Sequence, residues 1–153
     1  MFFRDGVPRI NVAVVAFTMP LKYSIAALRE ANEPVPELMR LPTEAEVGQA
    51  EEALAVRFHS DFRQFLLKAS DVVVGAFETV TLTLPGAHTH LIDVTKAAHQ
   101  LGVPKDWIPI CEDNGDYYCM TPQGAVRFWA HDGASDESWE SLGDWIDEVW
   151  LET

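Results

Sequence analysis

Apolar residues recur along this chain at two spacings, and the switch between them divides it. Leu21, Ile25 and Leu28 fall three or four residues apart, which predicts one buried face of a short helix ending at Asn32, ahead of Pro34 and Pro36. Thr43 and Glu46, just after Pro42, have the spacing of a capping box and open a second helix that should bury Val47, Ala50 and Leu54. A third begins at Ser60, with Phe62, Phe65, Leu66 and Ala69 at helical spacing. Beyond it the period shortens to two. Val80, Leu82 and Leu84 alternate with Thr79, Thr81 and Thr83, predicting a strand with one buried face, closed by Pro85-Gly86. Asp93 is expected to cap a further short helix, Val94 to Leu101, stopped by Gly102 and Pro104.

Three strands follow, at about 107 to 112, 116 to 121 and 125 to 131, joined by Asn114-Gly115 and by Pro122-Gln123-Gly124. Such short connections make them antiparallel neighbours. Asn-Gly tolerates positive φ at both turn positions, so the first two strands form a tight hairpin. Counting back from that turn pairs Asp113 with Asp116, Cys111 with Tyr118, and Ile110 with Cys119. A last helix starts at Ser141, capped with Asp144 three residues on, and buries Leu142, Trp145, Ile146 and Val149. Helices first, strands later and a closing helix describe an α+β domain, with helices packed on an antiparallel meander.

At 153 residues, with 48% apolar and 23% charged side chains, the chain suits one domain able to bury roughly 70% of its unfolded surface. The convincing patterns start after Met19, so residues 19–153 are expected to form the domain and residues 1–18 an N-terminal extension. Arg4 and Arg9 precede an apolar run, Val12 to Phe17, that makes a poor secretory signal and is far short of the roughly 18 residues needed to span a membrane. Strand alternation puts Cys111 and Cys119 on opposite sides of the sheet. They should not form a disulfide, which fits a reducing cytoplasm.

Charge changes the picture most. Residues 106 to 153 hold twelve Asp and Glu against a single basic residue, Arg127, and so account for −11 of the formal −13. Localised charge steers oppositely charged macromolecules and contributes little to the choice of fold. Direct nucleic-acid binding is disfavoured, since phosphate contacts need Lys and Arg in the same place. A basic protein partner is favoured.

The residues expected to steer it are Glu112, Asp113, Asp116, Asp132, Asp136 and Glu137. Arg127, Trp129 and His131 share one strand face, and with Val126, Phe128 and Ala130 turned to the helices they form a partly exposed row of aromatic and Arg anchors rimmed by charge. The competing reading is that Trp129 covers the C-terminal helix. Asp144, Asp147, Glu148 and Glu152 read more simply as the solvated face of the last helix.

Catalytic chemistry finds little support. Glu112, Asp113 and Asp116 surround a two-residue turn, where Asp is chosen for turn geometry. His88 and His90, with Asp93 near, have a spacing that can present two metal ligands, but no third His or Cys lies close in sequence, although His99 could approach through the fold. Cys111 and Cys119 lie inside strands, and there is neither a Gly-x-Ser-x-Gly elbow nor a phosphate-cradling glycine loop. No cofactor is expected.

The order of pieces resembles the SMI1/KNR4 family, also called the SUKH superfamily. The likeness is carried by PTEAEVGQAEEALAVRF with Glu52 in the second helix, HSDFRQFLL on the third, WIPICEDNGDYYCM over the hairpin, GAVRFWAHD on the next strand and SLGDWI opening the last helix, together covering about residues 42 to 150. Two places depart from the family pattern. Ala69-Ser70-Asp71 stands where many members have a His-Asn-Gly-Gly-like turn, and Thr121 where an Asp often follows the paired tyrosines. The resemblance implies a non-enzymatic binding protein, since family members are known mainly as bacterial immunity proteins against polymorphic toxins, many of them nucleases, and as fungal interaction proteins. Joined to the charge, the expectation is a cytoplasmic immunity protein that binds a basic toxin. The alternatives are a regulatory or scaffold module and, third, a metal-dependent enzyme using the acidic cluster.

Overall fold

A computed structural model of the chain describes residues 20–37, 39–133 and 135–153. The expected extension, residues 1–18, lies outside them. The described residues form an α+β fold of five helices and one four-stranded antiparallel sheet in the order β1-β2-β3-β4. The elements are α1 (Leu21–Ala31), α2 (Glu44–Leu54), α3 (Ser60–Ala69), α4 (Leu91–Leu101), β1 (Ile108–Asp113), β2 (Asp116–Met120), β3 (Val126–Trp129), β4 (Ser138–Trp139) and α5 (Leu142–Glu148), followed by a 3₁₀ turn, Trp150–Glu152.

Helix starts follow their caps. In α2 the Thr43 hydroxyl accepts from the Glu46 backbone N–H while the Glu46 carboxylate accepts from the Thr43 N–H, so two otherwise orphaned donors are satisfied reciprocally. Ser141 accepts from the Asp144 N–H at the start of α5. Helix α4 begins three residues earlier than expected. His90 is its N-cap and Asp93 falls in its first turn, bonded to the His90 ring rather than to the helix end. Its C-terminus is the expected one, with Gly102 in the left-handed region at φ 117°.

The hairpin turn has the positive φ that Asn-Gly allows, 54° at Asn114 and 90° at Gly115. Asp113 faces Asp116 and Cys111 faces Tyr118 as expected, but Cys119 faces Pro109 instead of Ile110, because β1 carries a bulge between Pro109 and Cys111. Proline cannot donate to the ladder, and a bulge is where a strand tolerates one. The bulge re-aims the start of β1, and both cysteines end up buried, as free thiols. Burial pushes the Cys111 thiol up to about 12 and the Cys119 thiol higher still, so neither is a ready thiolate.

The segment predicted as a strand at 79–84 is not one. Thr79 bridges Cys111 at the outer edge of β1, after which Thr81 turns away to bridge His90 in parallel. Val80 N–H donates to Ile110, Thr81 N–H to Thr89, and Thr81 C=O accepts from Leu91 N–H, so the backbone is divided between two neighbours. Thr79, Val80 and Thr81 are all buried while Leu84 is exposed, so alternation in the sequence did not correspond to two faces. The two-residue strand β4, too short for any periodicity, pairs with β3 and was not anticipated.

Two layers of aromatic packing flank the sheet. On one face Tyr118 touches Phe128, Trp139 and, from α5, Trp145, whose ring stacks on Phe77. Val149 is only half-buried, and Trp150 fills the core beside it, donating its indole N–H to the Val74 carbonyl at 3.0 Å. On the other face Tyr117 and Cys119 are buried, and the end of α4 covers the sheet where Gly102 approaches the Trp129 ring.

Candidate functional site

Turn chemistry assembles the acidic end of the sheet. The Glu112 carboxylate accepts the Gly115 N–H at 2.7 Å, closing the hairpin, while Asp113 accepts from the Asn114 side chain at 3.3 Å. Asp113 and Asp116 are direct cross-strand neighbours, an arrangement that like charges normally oppose. The repulsion is relieved from one side. Asp116 Oδ1 accepts both the backbone N–H of His131, at 2.9 Å, and its ring Nδ1, at 2.6 Å. These bonds hold the Asp116 carboxyl below the usual carboxylate range and raise the His131 imidazole, with a smaller upward push from Asp132.

The His131 pairing brings the loop after β3 onto the hairpin, so residues distant in sequence share one end of the molecule. Tyr118 reports the result: its phenol is pushed up to about 12, first by burial and then by Asp113, Glu137 and Asp116 around it. Glu112, Asp132, Asp136 and Glu137 are exposed, and Asp113 and Asp116 are half-buried. Expected as part of a strand, His131 lies past its end, since β3 stops at Trp129 and Ala130 turns back to bridge Gly133.

Beside this acidic end lies a groove of 460 Å³ whose walls include Trp107, Arg127, Trp129 and His131. Arg127 is half-buried, with its guanidinium 5.4 Å from the Trp107 ring centroid, a cation–π arrangement. Its Nε is buried without a hydrogen-bond partner among the described residues. Trp129 packs against Tyr117 at 6.0 Å and does not cover α5, which lies across the opposite face with Trp145 against Tyr118. Trp107, which charge and strand spacing had not singled out, is the residue that sequence reading missed. Its visible signal was its place at the entry to β1, two residues before a strand proline.

Charge pairing differs sharply between the two halves. Arg29 holds Asp71, Arg40 holds Glu46, and Arg63 holds Glu44 and Glu51. Among the described residues, no carboxylate from 106 to 153 forms an ion pair with Lys or Arg, and Asp116 with His131 is the pair found there. Asp147 accepts from the buried Ser24 hydroxyl at 3.0 Å, so it joins α5 to α1 besides facing solvent. His88 turns to Glu78 and His90 to Asp93, and no three His, Cys, Asp or Glu among the described residues come together in a way that could hold a metal.

Comparison with known proteins gives this arrangement a family. The family model described as SMI1-KNR4 cell-wall (SUKH_5) matches residues 21–151. The chain belongs to the SMI1/KNR4 (SUKH) family. A crystal structure of a protein from Pseudomonas syringae pv. tomato is similar to this SUKH chain at 46% identity and a TM-score of 0.82, covering 86% of this chain and 99% of that one. No curated protein matches it. The match takes in both the acidic hairpin and the Arg127 groove, and among the described residues no helix of this SUKH domain is long and apolar enough to cross a membrane.

Proposed function

We propose that this SUKH protein is a non-enzymatic, cytoplasmic immunity protein that binds and neutralises a basic toxin domain, with nucleases among the candidates. The observation that carries the reading is the pairing asymmetry. Among the described residues, Glu44, Glu46, Glu51 and Asp71 of the first half are tied to the chain's own arginines, whereas no carboxylate of residues 106 to 153 is paired with a Lys or Arg. Carboxylates concentrated at one end attract a cationic protein over roughly a Debye length, about 8 Å at physiological salt, and accelerate encounter. Glu112, Asp113, Asp116, Asp132, Asp136 and Glu137 supply that attraction. Arg127, Trp129 and His131, with Trp107, supply the anchor that slows release.

The test uses a cognate toxin domain, sought among the genes beside this one. Reversing Glu112, Asp132 and Glu137 to Lys, which spares the Asp116–His131 pair, is expected to lower the association rate constant about tenfold or more at low salt and to flatten its salt dependence. Trp129→Ala is expected to act on dissociation instead. An unchanged association rate in the triple variant would remove the steering role. The family description, with its reference to the cell wall, favours as second reading a regulatory or scaffold module for an ordinary cellular protein. A large secreted toxin gene next door supports the first reading, and its absence the second.

A further inference from the structure

Five arginines lie among the described residues, and three hold carboxylates: Arg29, Arg40 and Arg63. The two without a carboxylate partner there, Arg57 and Arg127, each line a cavity beside the sheet. Scarcity of acids is not the reason, since the chain has 24 Asp and Glu against 11 Lys and Arg. The Arg127 groove belongs to the face described above. The Arg57 cavity is a separate place.

It has a volume of 370 Å³ and sits at the end of the β1–β2 hairpin remote from the Asn114-Gly115 turn, where Ile108 begins β1 and Met120 ends β2. Five residues of β1 separate it from Asp113, which at about 3.3 Å per residue puts some 17 Å between the two ends. Its walls include Phe58, Phe62, Ile108 and Met120, all buried, with Phe58 edge-on to Phe62 at 5.1 Å. Arg57 and Lys105 border the same space, both exposed, and neither is in an ion pair among the described residues. His59 adds a donor. Its Nδ1 accepts the Asp61 N–H at 3.0 Å, so the proton of the neutral ring is on Nε2. Asp106 is the carboxylate that shares the cavity, leaving a formal surplus of +1 from Arg57 and Lys105 in a chain of −13.

We propose that this cavity binds a small organic monocarboxylate, with its apolar body against Phe58, Phe62, Ile108 and Met120 and its carboxylate held by Arg57, Lys105 and His59 Nε2. The guanidinium fork matches a carboxylate in two parallel hydrogen bonds, and the apolar wall has nothing to offer an inorganic anion. A single negative charge balances the local surplus. A phosphate dianion would exceed it and meet the repulsion of the remaining acids. The same chemistry is presented by a free aliphatic acid and by the C-terminal residue of a peptide.

The experiment is a backbone amide NMR titration of the whole chain, without any protein partner, using hexanoate, N-acetyl-leucine and hexanamide. The proposal expects saturable shifts at residues 55–59, 105–108 and 120–122 with both acids, with dissociation constants near ~1 mM for so few atoms. Hexanamide, and hexanoate against Arg57→Ala, should each bind about tenfold more weakly, and Asp106→Asn should tighten hexanoate. The tighter of the two acids identifies the source, free acid or peptide end. Equal binding of hexanoate and hexanamide overturns the proposal, as does unchanged binding in Arg57→Ala, or the absence of local shifts up to about 20 mM, well above the expected constant. Both substituted side chains are exposed, and retained dispersion of the amide spectrum confirms folding in each variant. Failure of this site would leave the toxin-binding proposal standing, because that rests on the opposite end of the hairpin.

Discussion

His131 and Asp116 each change the proton affinity of the other, and this fixes the pH range in which their contact matters. The His131 ring, bonded to the Asp116 carboxylate, stays protonated to a higher pH than a free imidazole, so its contribution is present below about pH 6.5 and is lost as pH rises through the raised value. Asp116, bonded by the backbone N–H and ring of His131, stays ionised to a lower pH, so its contribution is present above about pH 4 and is lost as pH falls through the lowered value. The pair is therefore strongest between about pH 4 and 6.5. The difference in Tm between wild type and Asp116→Asn should be largest in that window and shrink on both sides; a difference constant from about pH 3 to pH 9 would show that no such pair ties the loop to the hairpin. Trp150 is a residue of another kind, completely buried and hydrogen-bonded to Val74. Trp150→Ala should cost about 3–5 kcal/mol in chemical denaturation, through the cavity left beside Phe65 and Trp145.

Elements were legible in the sequence where one local rule decided them. Thr43 and Glu46 placed the start of α2 to the residue, and Asn114-Gly115 placed the hairpin, because capping and positive φ depend on a few adjacent side chains. Thr43→Ala should accordingly lower stability by about 1 kcal/mol. The segment at 79–84 misled because alternation assumes a solvated second face, and here Thr79 and Thr81 are buried as well. The bulge at Pro109 was present as a proline in a strand, and counting a uniform register from the turn passed over it. At the site, the acids of the hairpin followed from the concentration of charge after residue 106, and the Arg127–Trp129 row from strand parity. Trp107 and the Asp116–His131 tie did not, since both depend on where loops return in space. Gly124 belongs here too: its φ is 95°, and a Cβ on it would lie 2.7 Å from His59 Nε2. Gly124→Ala should cost at least about 1–2 kcal/mol by pushing the start of α3 off the β2–β3 turn, and thermal unfolding would measure it.

Across the whole molecule the charges form two unlike ends of one sheet. The hairpin tip carries carboxylates without Lys or Arg partners among the described residues, and the far end carries Arg57 and Lys105 around an apolar cavity. Repulsion among the unpaired acids opposes the compact state and is screened by salt. Raising NaCl from about 10 to 150 mM should therefore raise Tm by about 2–4 °C, equivalent to roughly 1 kcal/mol, and the Glu112, Asp132, Glu137 triple reversal should abolish most of that rise. The arrangement of the indoles follows the same division. Trp145 and Trp150 are sealed in the core, Trp139 is half-buried against Tyr118 on the α5 face, and Trp107 and Trp129 stand half-open in the Arg127 groove. Intrinsic fluorescence is thus sorted by depth and by charge: caesium should quench the groove pair more readily than iodide does, and an arriving protein should alter their emission, so that capture can be followed without attaching a dye.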